Sequence, residues 1–417
     1  METTYKKAAD GTVTITTTFK PQGDLMDQET ALQIGLQEAG RIAMQEAIKE
    51  MDTDGRPIVV GNERYTSRGA EKKPYQTVFG SVEVARHVYQ HSRGGKTVVP
   101  LESKGRFLGG SNTPKFSKMV SWKYSQMSAR HVREDLRMNH ARELSTKLVQ
   151  SVSAHVENIA IDHEFEWHYE LPEFDQVVSH VSIGRDGTTT AIRGDRYRET
   201  MCGTISFYNS DGERLHTIYS ACAPEYGKKT FDSVLSMEID RIKAKLPAVT
   251  YVGLADGAKD NWTYLLKYVQ VDILDFYHAT EYLTKASVVL KKGEQEQKQW
   301  AVNACHDLKH KKNGARFIIR ELKSWVKENG NTQHEAVSKT ITYFENNLMR
   351  MNYPEYQKKG YPIGSGVTEA ACKTVIKQRL SQSGMRWNLH NAEGMLITRA
   401  LTSTKGQWEQ FWGKYMQ

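Results

Sequence analysis

Between residues 177 and 255 the chain sets three apolar-rich stretches, a helical stretch and a fourth apolar run in an order that few folds accept. Residues 177–185, 201–208 and 214–222 read as strands, the last two joined by Asn209-Ser210-Asp211-Gly212, a turn suited to a hairpin. Residues 230–246 place Val234, Leu235, Ile239 and Ile242 on one side of a helix, and 249–255 reads as a buried central strand. An antiparallel meander, one crossover helix and a further strand are therefore expected.

That order is the order of an RNase H-like core, so the expected class is α/β with an RNase H-like mixed sheet. After Trp262 come a helix, a short strand at 271–277 and a long polar, helix-forming segment reaching about residue 350. Upstream, residues 28–51 carry Ala31, Ile34, Ala39, Ile42 and Ala43 at helical spacing and end before Asp54-Gly55 and Pro57. Alternation of Val82, Val84 and Val88 with Ser81, Glu83 and His87 predicts a β-hairpin across residues 75–90.

Residues 114–158 read as three helices, one after Pro114, one opened by Ser128 and one opened by Ser145. Val132, Leu136, Leu148, Val152 and Val156 face inward, and Asn139 is the expected left-handed residue between the last two helices. A helix-turn-helix presenting Thr146, Lys147, Gln150 and Ser153 to DNA fits this spacing, and so does an ordinary helical bundle. The expected divisions are an N-terminal helix and hairpin region at 1–110, a helix-turn-helix-like domain at 111–170 and a catalytic domain at 171–417 with a helical insertion at about 284–350.

Composition narrows the function classes. With 417 residues, 39% of them hydrophobic, the chain can bury a sizeable core, and its net charge of +8 favours a polyanionic partner. No stretch approaches the roughly 18 consecutive apolar residues of a membrane span, and the N-terminus lacks the pattern of a secretory signal, so a cytoplasmic, nucleoid-associated protein without a membrane partner is expected. Cys202, Cys222, Cys305 and Cys372 show no CxxC or Cys/His spacing and read as reduced core residues.

The chemistry lies in acids placed by the fold. Asp-Gly pairs are common turn formers, and Asp10-Gly11, Asp54-Gly55 and Asp211-Gly212 read as turns. Asp186 ends the first core strand, whereas Asp256 ends the strand after the crossover helix, and in an RNase H-like sheet those strands are neighbours. Two carboxylates meeting at a sheet edge need a compensating cation, and a hard ion such as magnesium suits oxygen ligands. Glu369 follows a Gly-Ser-Gly turn in the first turn of a helix, with Lys373 and Lys377 at successive steps of four. By itself, Glu369 also fits a carboxylate that complements the helix dipole.

Five segments carry a resemblance to a known family: DGT at 186–188, DRYRETMCGTISFY at 195–208, ADGAKDNW at 255–262, DFYHATEYL at 275–283 and PIGSGVTEAACKTVIKQRLSQSGMRW at 362–387. Together they make the chain resemble a bacterial insertion-sequence transposase of the Kra group, within the DDE superfamily, from about residue 180 onward. The resemblance implies that Asp186, Asp256 and Glu369 hold two magnesium or manganese ions and catalyse DNA cleavage and strand transfer. It implies His278, in the spacing Asp275-x-x-His278, as an active-site neighbour, while the residues alone also allow a strand-end histidine satisfied by backbone.

Arg386 and Trp387 could clamp a phosphate and stack on a base, or Trp387 could be a core residue. Lys147, Gln150, Lys373, Lys377, Arg379, Arg386 and Trp387 are the expected DNA contacts. The partners implied are element ends, target DNA and further copies of the chain as a homo-oligomer. Trp408, Phe411 and Trp412 read as core or as an oligomer contact. A nuclease or resolvase that does not join DNA, and a domesticated DNA-binding protein, are the rival readings.

Overall fold

The computed structural model describes residues 2–329 and 335–415. The chain is mixed α/β, with three sheets among the described residues and two compact units, residues 1–163 with 409–417 and residues 164–408. The expected boundaries near 110 and 170 differ from this division: the hairpin region and the three-helix region belong to one unit.

In the first unit a hairpin of β1 (Glu2–Lys7) and β2 (Val13–Thr18) precedes α1 (Leu25–Lys49). That hairpin went unread because its strands are threonine- and lysine-rich and mostly exposed, without an apolar face to betray their period. Asp24 caps α1, and its side chain and that of Asp27 exchange bonds with each other's backbone N–H. A four-stranded sheet follows, from β3 (Ile58–Val60), β4 (Glu63–Thr77), β5 (Gly80–His91) and β6 (Thr97–Val98), leading into α2 (Pro100–Lys104). Tyr75, Val82 and Val84 of the hairpin close a core with Ile48 and Leu101.

The three expected helices are α3 (Pro114–Gln126), α4 (Ala129–His140) and α5 (Thr146–Asp162), capped by Ser128 and Ser145 where those residues open α4 and α5. Phe116, Val120, Val132, Leu136, Val149 and Val152 form their shared core. Two details differ from the sequence reading. The left-handed residue is Ala141, at φ 47°, not Asn139. Ser153 is 1% exposed, so it offers nothing to DNA; α5 buries a wider stripe than its apolar residues alone suggest.

The second unit is built on a five-stranded sheet in the order β11-β10-β7-β8-β9. Strands β7 (His180–Ala191), β8 (Tyr197–Tyr208) and β9 (Arg214–Cys222) form the meander. Helix α6 (Lys229–Lys245) then carries the chain across to β10 (Thr250–Ala255), which pairs parallel with β7. Phe231 and Leu235 of α6 lie against Gly203 of β8, where an added Cβ would sit 3.0 Å from Leu235. After α7 (Lys259–Leu265), β11 (Val271–Leu274) pairs parallel with β10. The strand ends at Leu274, short of the expected 277, because Asp275 caps α8 (Phe276–Leu290).

The polar segment is helical, as α9 (Glu294–His310), α10 (Gly314–Glu328) and α11 (Glu335–Asn347), followed by α12 (Tyr353–Lys358). One helix then runs through α13 (Gly366–Ala371), a π-helical stretch at Cys372–Lys377 and α14 (Gln378–Leu380). The chain closes with α15 (Leu389–Ser403) and α16 (Gln407–Tyr415), and the division between the units falls within α16. Trp408, Phe411 and Trp412 are all buried. No helix among the described residues is long and apolar enough to cross a membrane.

Candidate metal centre at the sheet edge

Parallel register lines up the acids. The last registered pairs are Gly184 with Leu254 and Ala255 with Leu274. Carried past those pairs, the same offsets set Asp186 beside Asp256 and Asp256 beside Asp275, a row of carboxylates just past the parallel pairing; Asp186 does not end its strand as expected, because β7 continues to Ala191 on its antiparallel ladder with β8. The decoy Asp-Gly pairs behave otherwise: Gly11, Gly55 and Gly212 all have positive φ, as turns require, whereas Gly187 and Gly257 do not.

Gly184 decides where the helix bearing Glu369 can lie. It shares a face of β7 with Asp186, two residues on, and an added Cβ would come within 2.1 Å of Thr368 Oγ1. Thr368 also bonds Thr204, the residue opposite Gly184 on β8, at 2.6 Å between hydroxyl oxygens. With Thr368 held there, Glu369 follows at the exposed side of α13, and Cys372 reaches Asp186 Oδ2 at 3.7 Å.

Each acid has its own support. Asp256 Oδ1 accepts from the Ala258 N–H and from Asn261 Nδ2, both at 3.0 Å. Burial raises the Asp186 pKa above its usual value and Asp256 adds to the rise, against a bond from the Gly187 N–H. Asp275 is 1% exposed and accepts from the Tyr277 N–H at 2.7 Å. Ser365 links it to Glu369: the Ser365 hydroxyl lies 2.8 Å from Glu369 Oε1 and makes a still closer contact with Asp275 Oδ2. One hydroxyl has one proton to donate, so it cannot serve two carboxylates at once, and a shared proton or cation must make up the difference.

An all-oxygen donor set of this kind fits a hard divalent ion. Asp186, Asp256 and Glu369 do not themselves form a trio with ligand atoms all within 4.8 Å of one another. A pair of ions about 4 Å apart, each about 2 Å from its ligands, tolerates wider separations between acids that serve different ions.

The remaining candidates are placed unevenly. His278 sits in the first turn of α8, not at a strand end, half-buried beside Tyr282 and Tyr343 at ring distances of 5.9 and 6.1 Å. Tyr343 stacks on Tyr282 at 3.9 Å and covers Gly257, where a Cβ would lie 2.4 Å from its ring. Burial pushes its phenol well above the usual range, and Asp256 and Asp275 contribute to that rise. Tyr343, Asn261 and Ser365 were missed in the sequence because each is an ordinary residue until the fold delivers it to the acids.

Lys147 and Gln150 are exposed on α5, as are Lys373, Lys377 and Arg386 in the second unit. Arg379 is a correction: it is 1% exposed, its guanidinium 4.9 Å from the ring of Trp387, so it is a core residue and not a DNA contact. Trp387 is half-buried on it and bonds through backbone to Ala191 and Arg193 at the end of β7. The expected face of Glu369, Lys373 and Lys377 assumed α-helical spacing, whereas the helix widens to π at Cys372. Buried Arg399 of α15 supports that stretch, its Nε donating to the Val375 carbonyl at 2.7 Å and an Nη to that of Thr374.

No known protein family matches this chain, and no curated protein matches it either.

Proposed function

We propose that this chain is a DNA transposase of the DDE type, on an RNase H-like domain, that cleaves element ends and joins them to target DNA. The observation that carries the reading is the alignment where the parallel ladders stop: Asp186, inside β7, and Asp256, just after β10, fall in register past the last β7–β10 pair, and the helix bearing Glu369 is seated on β7 through Thr368 at Gly184. Strand order and direction, with three antiparallel strands followed by two parallel ones, agree with an RNase H-like sheet. Open α/β sheets bind ligands beyond the carboxyl ends of their parallel strands, where these acids lie.

Asp186, Asp256 and Glu369 would hold two magnesium or manganese ions, with Asp275 behind them. When bound, such ions supply a nucleophile at neutral pH and stabilise the leaving oxygen of an in-line displacement. The chain's own groups do the positioning. Asn261 and the Ala258 N–H orient Asp256, and Ser365 orients Glu369. Lys373, Lys377 and Arg386 are free to hold phosphates, while Lys147 and Gln150 serve the recognition of ends. Pairing two element ends calls for a homo-oligomer. His278, beside Tyr343, would be the neighbour that orients this cluster.

The test is an assay of the full chain with magnesium or manganese and a duplex carrying the sequences that flank its coding region, together with pre-cut ends and a target plasmid. Cleavage leaving 3′-hydroxyl ends, followed by joining, is expected. Cleavage without joining would favour a nuclease, and binding with neither would favour a regulator.

A further inference from the structure

A second cluster of ionisable groups lies in the same unit, on the far side of β8 from Asp186. Glu164 sits in the turn at residues 163–166, Cys222 is the last residue of β9, and Glu393 lies near the start of α15. Each offers one ligand atom, and the three atoms all lie within 4.8 Å of one another.

Nothing in the surroundings settles their charge. Cys222 is 1% exposed, and among the described residues its thiol is free and has no hydrogen-bond partner. Glu393 Oε2 accepts from the Ala223 N–H at 2.5 Å, but Oε1 is buried and unpartnered. Buried polar atoms nearly always have partners, so a buried, unpartnered carboxylate oxygen in a cluster with a buried free thiol marks a place for something else. Burial pushes the Glu164 carboxyl up to about 8, with Glu393 adding to the rise, and burial raises Glu393 and Cys222 as well.

We propose that Glu164, Cys222 and Glu393 bind a thiophilic divalent cation of the zinc type. The donor set distinguishes this ion from the pair at the sheet edge: hard magnesium and calcium take oxygen, while zinc accepts thiolate and carboxylate together. Three protein ligands leave a fourth tetrahedral position for water or an exogenous group. Because the ligands come from positions 164, 222 and 393, the ion ties α15 to the end of β9. Helix α15 also carries Arg399, which bonds the π-helical stretch beyond Glu369, so the ion steadies the helix that presents the third acid.

The test uses metal-free, full-length protein titrated with cobalt(II), a spectroscopic stand-in for zinc. Expected are a sulfur-to-cobalt charge-transfer band saturating at one equivalent per chain, its displacement by zinc, and a higher Tm with either ion. The band persists in Asp186→Asn and in Cys372→Ser, which separates this site from the sheet edge, and is lost in Cys222→Ser. Since replacing a buried thiol can unfold the chain, Glu393→Gln is measured in parallel with circular dichroism. It keeps the thiol and weakens cobalt binding by more than the roughly 10–100-fold that losing an outer-shell partner costs. Absence of the band in folded wild-type protein, or its survival in folded Cys222→Ser, overturns the proposal.

Discussion

The start and the middle of strand β7 treat their ionisable side chains in opposite ways. At the first end, His180 is fully buried, stacked on Tyr208 at a ring distance of 5.1 Å and met edge-on by Tyr361 at 5.0 Å. Both ring nitrogens are buried without partners, and burial lowers its pKa to about 4, so it sits in the fold as a neutral, flat packing unit. In the middle of the strand, past the last pair with β10, Asp186 is half-buried in a row of acids, with Glu369 open to solvent. One strand thus seals its start with aromatic rings and leaves its middle, where the parallel ladder with β10 stops, charged and accessible. The proposed chemistry belongs to the second place, where neighbouring carboxylates are open to an external cation.

The sharpest way to break this contrast is to neutralise the charged stretch. Asp186→Asn, Asp256→Asn and Glu369→Gln are each expected to lower DNA cleavage by roughly 10³-fold, the equivalent of several kcal/mol of lost metal-ion stabilisation. Folding and DNA binding should persist, as read by circular dichroism and mobility shift. Asp186→Asn should also raise the Tm of metal-free protein, since it removes a charge that burial disfavours. Full cleavage by any one variant would remove that residue from the site.

Next in size is the support of the π-helical stretch. Arg399→Met strips hydrogen bonds from two carbonyls, with an expected loss of roughly 2–4 kcal/mol in chemical denaturation. Wild-type stability would show that solvent replaces the guanidinium, and that the stretch stands without it.

Gly184→Ala acts on position alone. Its Cβ would meet Thr368 at 2.1 Å, lifting α13 and shifting Glu369 without touching a charge. A displacement of about 1 Å costs on the order of 10²-fold in kcat with KM for DNA little changed. An equal loss in binding and turnover would point to general disruption.

The smallest effect belongs to the sealed end. His180 has its folded pKa below the ordinary 6.5, so protons bind the unfolded chain more readily. Stability is accordingly whole above about 6.5 and falls as pH drops towards 4, then stops falling. His180→Phe should flatten this part of the Tm against pH curve; an unchanged slope would assign the acid sensitivity elsewhere.

Much of the second unit was legible because its elements announce themselves. Residues 201–208 and 214–222 are strands almost as read, since apolar runs broken by Asn209-Ser210-Asp211-Gly212 leave little choice. Asp186 and Asp256 stood out by position, and the structure adds a criterion invisible in sequence: their glycines are not in the turn conformation adopted by Gly11, Gly55 and Gly212. What could not be read depends on contacts between distant segments. Arg379 looks like any surface cation near a basic run, yet it is buried under Trp387. Ser365 reads as turn chemistry until Asp275 arrives beside it. Cys222 has no metal-binding spacing in sequence because its companions are far away along the chain.

The central claim is that acids where the parallel ladders of β7, β10 and β11 stop share divalent ions. Crystals of the full chain soaked in manganese, examined by anomalous scattering, test it directly. The expected result is density between Asp186, Asp256 and Glu369, lost in Asp256→Asn crystals. Manganese absent from that edge at saturating concentration, with DNA ends bound, would contradict it.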